Sequence, residues 1–203
     1  MDHAPCSTSW LRPLALLLVT AVYGWTVSQW LVQSAKAAEA PEVDLVHLAK
    51  QTNLQRLNLN SRKLTDAELR HVVILTRLRF LSLSDNPIMD AGISHLSDLT
   101  ELRSLTLDRT GITDAGLTHL HKLTGLRLLS LDGTQVTDAG LKELRELKGL
   151  HWLYLNHTGI TDAGLAHLKG MKQLKVLFLA NTEVTDAGIV DLRSQLPSVR
   201  IRR

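Results

Sequence analysis

Cysteine is almost missing from this chain: the single copy, Cys6, precedes the first hydrophobic run. That excludes an intramolecular disulfide, a Cys-based zinc site and a cysteine nucleophile from everything downstream. Cys6 also stands on the wrong side of the run to be a lipoprotein-type cysteine. Aromatic residues are scarce, at 4%, and no dense basic stripe interleaved with aromatics is visible, which argues against a nucleic-acid partner. The 23 Lys and Arg are interspersed with 20 Asp and Glu, and part of the small surplus sits in Arg200, Arg202 and Arg203. A Gly-rich phosphate loop, a nucleophile elbow and a Ser or Cys set with a plausible base are lacking too. Neither catalysis nor a cofactor is expected.

Charge is absent between Arg12 and Lys36, and Leu14 to Val32 is predominantly apolar. Two readings stay open for residues 1–37. A secretory signal would place its apolar region from Leu14 to about Trp25 and be cut after Ala35-Lys-Ala, before Ala38. A retained membrane anchor would use the same stretch, with Trp30 at an interface. Arg12 lies before the run, whereas Lys36 is followed by Glu39, Glu42 and Asp44. The positive-inside bias therefore puts the rest of the chain outside the cytosol in either case, secreted, periplasmic or tethered. Residues 38–42 read as a short linker.

What is present is repetition. Thr-Asp-Ala-Gly-Leu starts at Thr113, Thr137 and Thr161, and near-copies start at Thr65, Met89 and Thr185, every one 24 residues from the next. Residues 99–122 illustrate one unit. Leu102, Leu105 and Leu107 form a Leu-x-x-Leu-x-Leu run, whose alternation of period 2 is that of a strand with Leu105 and Leu107 on one face. Ile112 continues the apolar column. Thr113 or Asp114 can cap a short helix, on which Leu117 and Leu120 share a face. Leu123 turns the chain back toward the next strand. One such unit cannot bury its leucines alone, so stability has to come from stacking.

These residues resemble the leucine-rich repeat, Leu-x-x-Leu-x-Leu-x-x-Asn/Cys/Thr-x-Leu, over residues 43–203. The resemblance implies an α/β solenoid with a curved parallel sheet on the concave face and short helices on the convex face. The Thr-Asp-Ala-Gly-Leu variant is similar to repeats of exported, planctomycete-type bacterial proteins and to those of F-box substrate adaptors. Because residues 1–41 read as an export segment and its tail, an adaptor role is not expected. Val43 to Lys50 reads as a half-repeat helix covering the N-terminal end, and Val199-Arg-Ile as a last short strand. The first units are irregular: Arg62 replaces the small polar residue, Glu68 the glycine, and Pro87 interrupts the second loop.

Two ladders invite chemistry. His47, His71, His95, His119 and His167 recur on the period, but each lies at least one repeat from the next, whereas zinc needs its nitrogen ligands within about 2.1 Å of the metal. They read as half-exposed decoration, and no metal site is expected. Asp66, Asp90, Asp114, Asp138, Asp162 and Asp186 all fall at helix starts, where capping accounts for them. Thr110, Thr134, Thr158 and Thr182 read as hydroxyls bonded to loop backbone.

The informative positions are those left free by the repeat. Residues flanking the inward leucines should line the concave face. One column runs Arg56, Phe80, Ser104, Leu128, Trp152, Val176; the next Asn58, Ser82, Thr106, Ser130, Tyr154, Phe178; the third Asn60, Ser84, Asp108, Asp132, Asn156, Ala180. The candidate ligand site is therefore Leu128, Trp152, Tyr154, Val176 and Phe178, rimmed by Asp132, Asn156 and His157. Exposed aromatic clusters with polar rims are typical interaction hot spots. A non-enzymatic module recognising a protein or peptide is expected. Glycan binding, with sugar rings on Trp152 and Tyr154, and a homotypic envelope component are the alternatives, and a membrane is met only through residues 1–37.

Overall fold

A computed structural model describes residues 53–203. The proposed export segment, linker, N-terminal half-repeat and His47 lie outside the described residues. Among those described, seven three-residue strands form one parallel sheet in strict sequence order. They are β1 (Arg56–Asn58), β2 (Phe80–Ser82), β3 (Ser104–Thr106), β4 (Leu128–Ser130), β5 (Trp152–Tyr154), β6 (Val176–Phe178) and β7 (Arg200–Arg202). Each residue pairs with the one 24 positions on, so the sequence period is also the sheet register.

The middle residue of every strand from β1 to β6 is a leucine pointing inward, buried between two less buried neighbours. The leucine two positions further on is buried as well, because the chain stays extended just past the strand. In the unit read above, Leu102, Leu105, Leu107, Ile112, Leu117, Leu120 and Leu123 are all fully enclosed. The core is thus a set of aliphatic columns running along the stack, and the fold is a leucine-rich repeat solenoid.

The helices lie on the opposite side: α1 (Asp66–Leu69), α2 (Asp90–Ile93), α3 (Asp114–Leu117), α4 (Asp138–Glu143), α5 (Asp162–Leu168) and α6 (Asp186–Gln195). In α3, α5 and α6 the N-cap threonine hydroxyl accepts from a first-turn amide, at 3.2 Å from Ala115 in α3. This satisfies a donor that the helix cannot.

The aspartates do something other than cap their own helices, and here the sequence-based reading is corrected. From Asp66 to Asp162 each side chain reaches across to the next repeat, whereas Asp186 accepts from Arg203 Nη1 at 2.6 Å. Asp90 Oδ1 accepts from the Thr113 amide at 2.8 Å and Asp90 Oδ2 from the Thr113 hydroxyl at 2.6 Å. The same pair of bonds joins Asp114 to Thr137, Asp138 to Thr161 and Asp162 to Thr185. The ladder is an inter-repeat brace that fixes where each helix begins.

The brace has a pH signature. Hydrogen bonds from the Thr185 hydroxyl and amide hold Asp162 below its ordinary value of 3.8, because donors aimed at a carboxylate favour its charged form. Asp85 is lowered in the same sense by the guanidinium of Arg109, which donates two bonds of 2.6 Å. A carboxyl whose pKa is depressed on folding contributes stability that is present above its ordinary value and lost as the pH falls through its folded value. The expected result is a melting temperature flat near neutrality that declines below about pH 4. Asp162→Asn should make that decline shallower in a circular-dichroism pH series; an unchanged slope would remove Asp162 from the account.

The column Thr110, Thr134, Thr158 and Thr182 behaves as read: each hydroxyl donates to the carbonyl three residues earlier, at 2.6–2.7 Å. At the equivalent position of the second unit stands Asn86, beside Pro87. Buried Asn86 accepts from the amides of Arg62 and Leu64 and donates to the carbonyls of Leu59 and Leu83. Among the described residues no buried side-chain nitrogen or oxygen is left without a partner.

Val199-Arg-Ile is realised one residue later, as β7. It joins β6 edge to edge, with Arg200 beside Val176 and Arg202 beside Phe178. The last strand therefore extends the concave face instead of covering it.

Candidate functional site

The pairing register decides which concave side chains meet. Leu128, Trp152 and Val176 are consecutive partners across β4, β5 and β6, and Ser130, Tyr154 and Phe178 are the next row. Strand neighbours stand about 4.8 Å apart, so the five apolar candidates form one continuous patch. Within it the rings of Tyr154 and Phe178 lie 4.4 Å apart and nearly parallel, at 7°. Trp152 stands 37% exposed, flanked by the His151 ring at 5.5 Å. Leu128, Tyr154, Val176 and Phe178 are half-buried, which is the exposure of side chains lying flat on a sheet.

The polar rim is built differently from its sequence-based description. Asp132 accepts from the Asn156 amide at 2.8 Å and from the Asn156 Nδ2 at 2.9 Å, and Asn156 Oδ1 accepts from the Ala180 amide at 2.7 Å. These two side chains brace consecutive loops in the same manner as the aspartate ladder on the helix side. Their carboxylate and amide are engaged within the protein. His157 is exposed and left-handed, at φ 55°. It belongs to a column of left-handed residues, Ser61, Asp85, Arg109, Gly133, His157 and Asn181, where every loop turns off its strand. Its Nε2 lies 3.2 Å from Asn181 Nδ2.

The other half of the concave face is polar, with one aromatic. Phe80 is 39% exposed and carries the Arg56 guanidinium over its ring at 4.4 Å, a cation–π contact. Between the two ends, Ser82 and Thr106 share a hydrogen bond at 2.5 Å, and the Ser130 hydroxyl donates to Asp108.

A feature escaped the sequence reading because its members are 24 residues apart and never form a run. Arg79, Arg103, Arg127, His151 and Lys175 occupy the position just before β2 to β6, and the amide of each later member donates to the carbonyl of the one before. A column of basic side chains thus runs along the strand-start edge of the concave face. On the helix side, His71, His95 and His119 are half-buried and His167 is exposed. Among the described residues no three His, Cys, Asp or Glu side chains are grouped so as to hold a metal ion, and no helix is long and apolar enough to cross a membrane.

Comparison with known proteins agrees with this geometry. A family model described as leucine-rich repeat matches residues 75–97. Among solved structures the chain is similar to an internalin C2 of Listeria monocytogenes, at 28% identity and a TM-score of 0.66 over 76% of this chain and 62% of that one. It is also similar to a leucine-rich repeat protein of Leptospira interrogans, at 25% identity and a TM-score of 0.65 over 80% of this chain and 40% of that one. A second Listeria monocytogenes internalin, at 24% identity and a TM-score of 0.58, shares the fold over 78% of this chain and 50% of its own length. The chain therefore spans less than two thirds of each of these proteins. No curated protein matches it by sequence. The chain carries leucine-rich repeats.

Proposed function

We propose that the chain is an exported, non-enzymatic recognition module of the planctomycete-like Thr-Asp-Ala-Gly-Leu repeat type, which binds a protein or peptide on the C-terminal part of its concave face. One observation carries the reading: an exposed Trp152 beside a stacked Tyr154–Phe178 pair, on a face whose remaining columns are mostly polar. Solenoids present extended concave surfaces of this kind for binding, and large, rigid aromatic side chains are enriched among the residues that dominate interface energies. Export rests on the uncharged segment after Arg12 and the charge asymmetry around it. The absence of a nucleophile–base constellation from the sequence supports a binding role over a catalytic one.

The test is capture from an envelope extract by the immobilised full chain, compared with Trp152→Ala/Tyr154→Ala. Both side chains stand on the outer face, so the double variant should melt close to wild type by circular dichroism. Capture of the specific partner should weaken by about tenfold or more. Retained capture by a folded double variant would reject the site. An intact-mass measurement of the exported protein tests the segment: loss of residues 1–37 identifies a cleaved signal, and the full mass a retained anchor.

A further inference from the structure

The aromatic patch is bordered by positive charge on two sides. Along the strand-start edge, Arg127, His151 and Lys175 sit directly before β4, β5 and β6, linked backbone to backbone at 2.8 and 2.9 Å. Past the patch, β7 places Arg200 beside Val176 and Arg202 beside Phe178. Arg127, Lys175, Arg200 and Arg202 are exposed. Among the described residues the ion pairs lie elsewhere, and none involves any of these four. The strand-end edge carries Asp108 and Asp132 past β3 and β4, so the positive border does not close around the patch.

Resting on the recognition role proposed above, we propose that the partner is an acidic polypeptide segment. Its apolar or aromatic side chain seats on the Trp152–Tyr154–Phe178 platform, and its carboxylates turn toward Arg127, Lys175, Arg200 and Arg202. Charge complementarity of this kind steers association and excludes wrong partners. A uniformly charged polyanion fits less well, because it would face the carboxylates of Asp108 and Asp132 and present nothing apolar to the platform. A peptide can carry both kinds of group, on separate sides.

The experiment uses the full chain and peptides of about 12 residues in matched sets: acidic with Trp and Leu, acidic without apolar residues, basic with Trp and Leu, and neutral with Trp and Leu. Heparin and single-stranded DNA serve as polyanion probes. The acidic, apolar set should bind most tightly, with affinity falling as salt rises. Arg200→Glu/Arg202→Glu should weaken that binding by about tenfold, since each exposed pair contributes modestly. Lys142→Glu, on the helix side, should leave it unchanged. The inference is overturned if neutral or basic peptides bind equally well, if heparin or DNA binds more tightly, if no set binds, or if the arginine reversal has no effect. Trp152→Ala/Tyr154→Ala separates the two levels. Binding that needs the aromatics but shows no preference for acid ends the acidic-segment inference and leaves the recognition face standing. An acid preference that survives the aromatic variant ends both.

Discussion

Asn86→Ala is expected to destabilise the protein by about 3–5 kcal/mol, far more than any single threonine replacement in the same column. The reason lies in the count of main-chain groups that depend on it. The amides of Arg62 and Leu64, at 3.0 and 2.9 Å, and the carbonyls of Leu59 and Leu83, both at 2.8 Å, have no other partner among the described residues. Alanine removes the bracket and leaves these groups to water that reaches the loop poorly, since Leu59, Leu64 and Leu83 are buried. An unsatisfied buried group costs about 1–3 kcal/mol, with partial relief where solvent enters. Thr110→Val removes one bond, to the Leu107 carbonyl, and should cost only about 1 kcal/mol. Asn86→Thr should fall between, restoring a donor toward Leu83 but nothing toward Arg62 and Leu64. Urea titration followed by circular dichroism measures all three. Hydrogen exchange adds location: the Arg62 and Leu64 amides should speed up before those of β4, because a stacked array frays where a neighbour contact is lost. An Asn86→Ala variant as mild as Thr110→Val would refute the bracket.

Asn86 also marks where the sequence was and was not readable. Whatever repeats by type of residue was legible: the leucine columns, the helix starts, the threonine hydroxyls and the columns left over for the concave face. These follow from local periodicities of 2 and 3.6 and from the period of 24, which is also the register of the sheet. Asn86 stands where the repeat pattern allows an asparagine, but Pro87 breaks the loop pattern beside it and masks the match. What was not legible required knowing how far one coil is offset from the next. Asp90 and Thr113 are 23 residues apart, one short of the period, and only the packed solenoid brings them to 2.6 Å. Asp132 and Asn156 stand a full period apart and look like free polar groups in the sequence, but the fold bonds them to each other and bonds Asn156 to the Ala180 amide. The basic column before the strands is hidden for a complementary reason: composition averages it away, and only stacking aligns Arg127, His151 and Lys175.

The glycine of Thr-Asp-Ala-Gly-Leu gives the second large effect. Gly140 lies in the first turn of α4, where alanine would ordinarily gain about 0.5–1 kcal/mol. Here a Cβ would overlap Asp114 Oδ1 and lie 3.2 Å from its Cγ and 2.9 Å from a Leu117 methyl. To admit it, Asp114 must leave the Thr137 amide and hydroxyl, bonded at 2.7 and 2.6 Å. Gly140→Ala should therefore cost about 2–4 kcal/mol, and Asp114→Ala about 1.5–3 kcal/mol through the lost charged acceptor. The double variant should be milder than the sum by about 1–3 kcal/mol, since the methyl group occupies space that the carboxylate has vacated. Gly170, around which a Cβ would meet nothing within 4 Å, is the control and should tolerate alanine. Strict additivity in the double-mutant cycle would show that the carboxylate does not dictate the glycine. A favourable coupling would establish aspartate and glycine as one device spanning two coils. The same contact recurs between Asp66 and Gly92, Asp90 and Gly116, Asp138 and Gly164, and Asp162 and Gly188, so the motif repeats as a unit because each copy is shaped to receive the side chain of the copy before it.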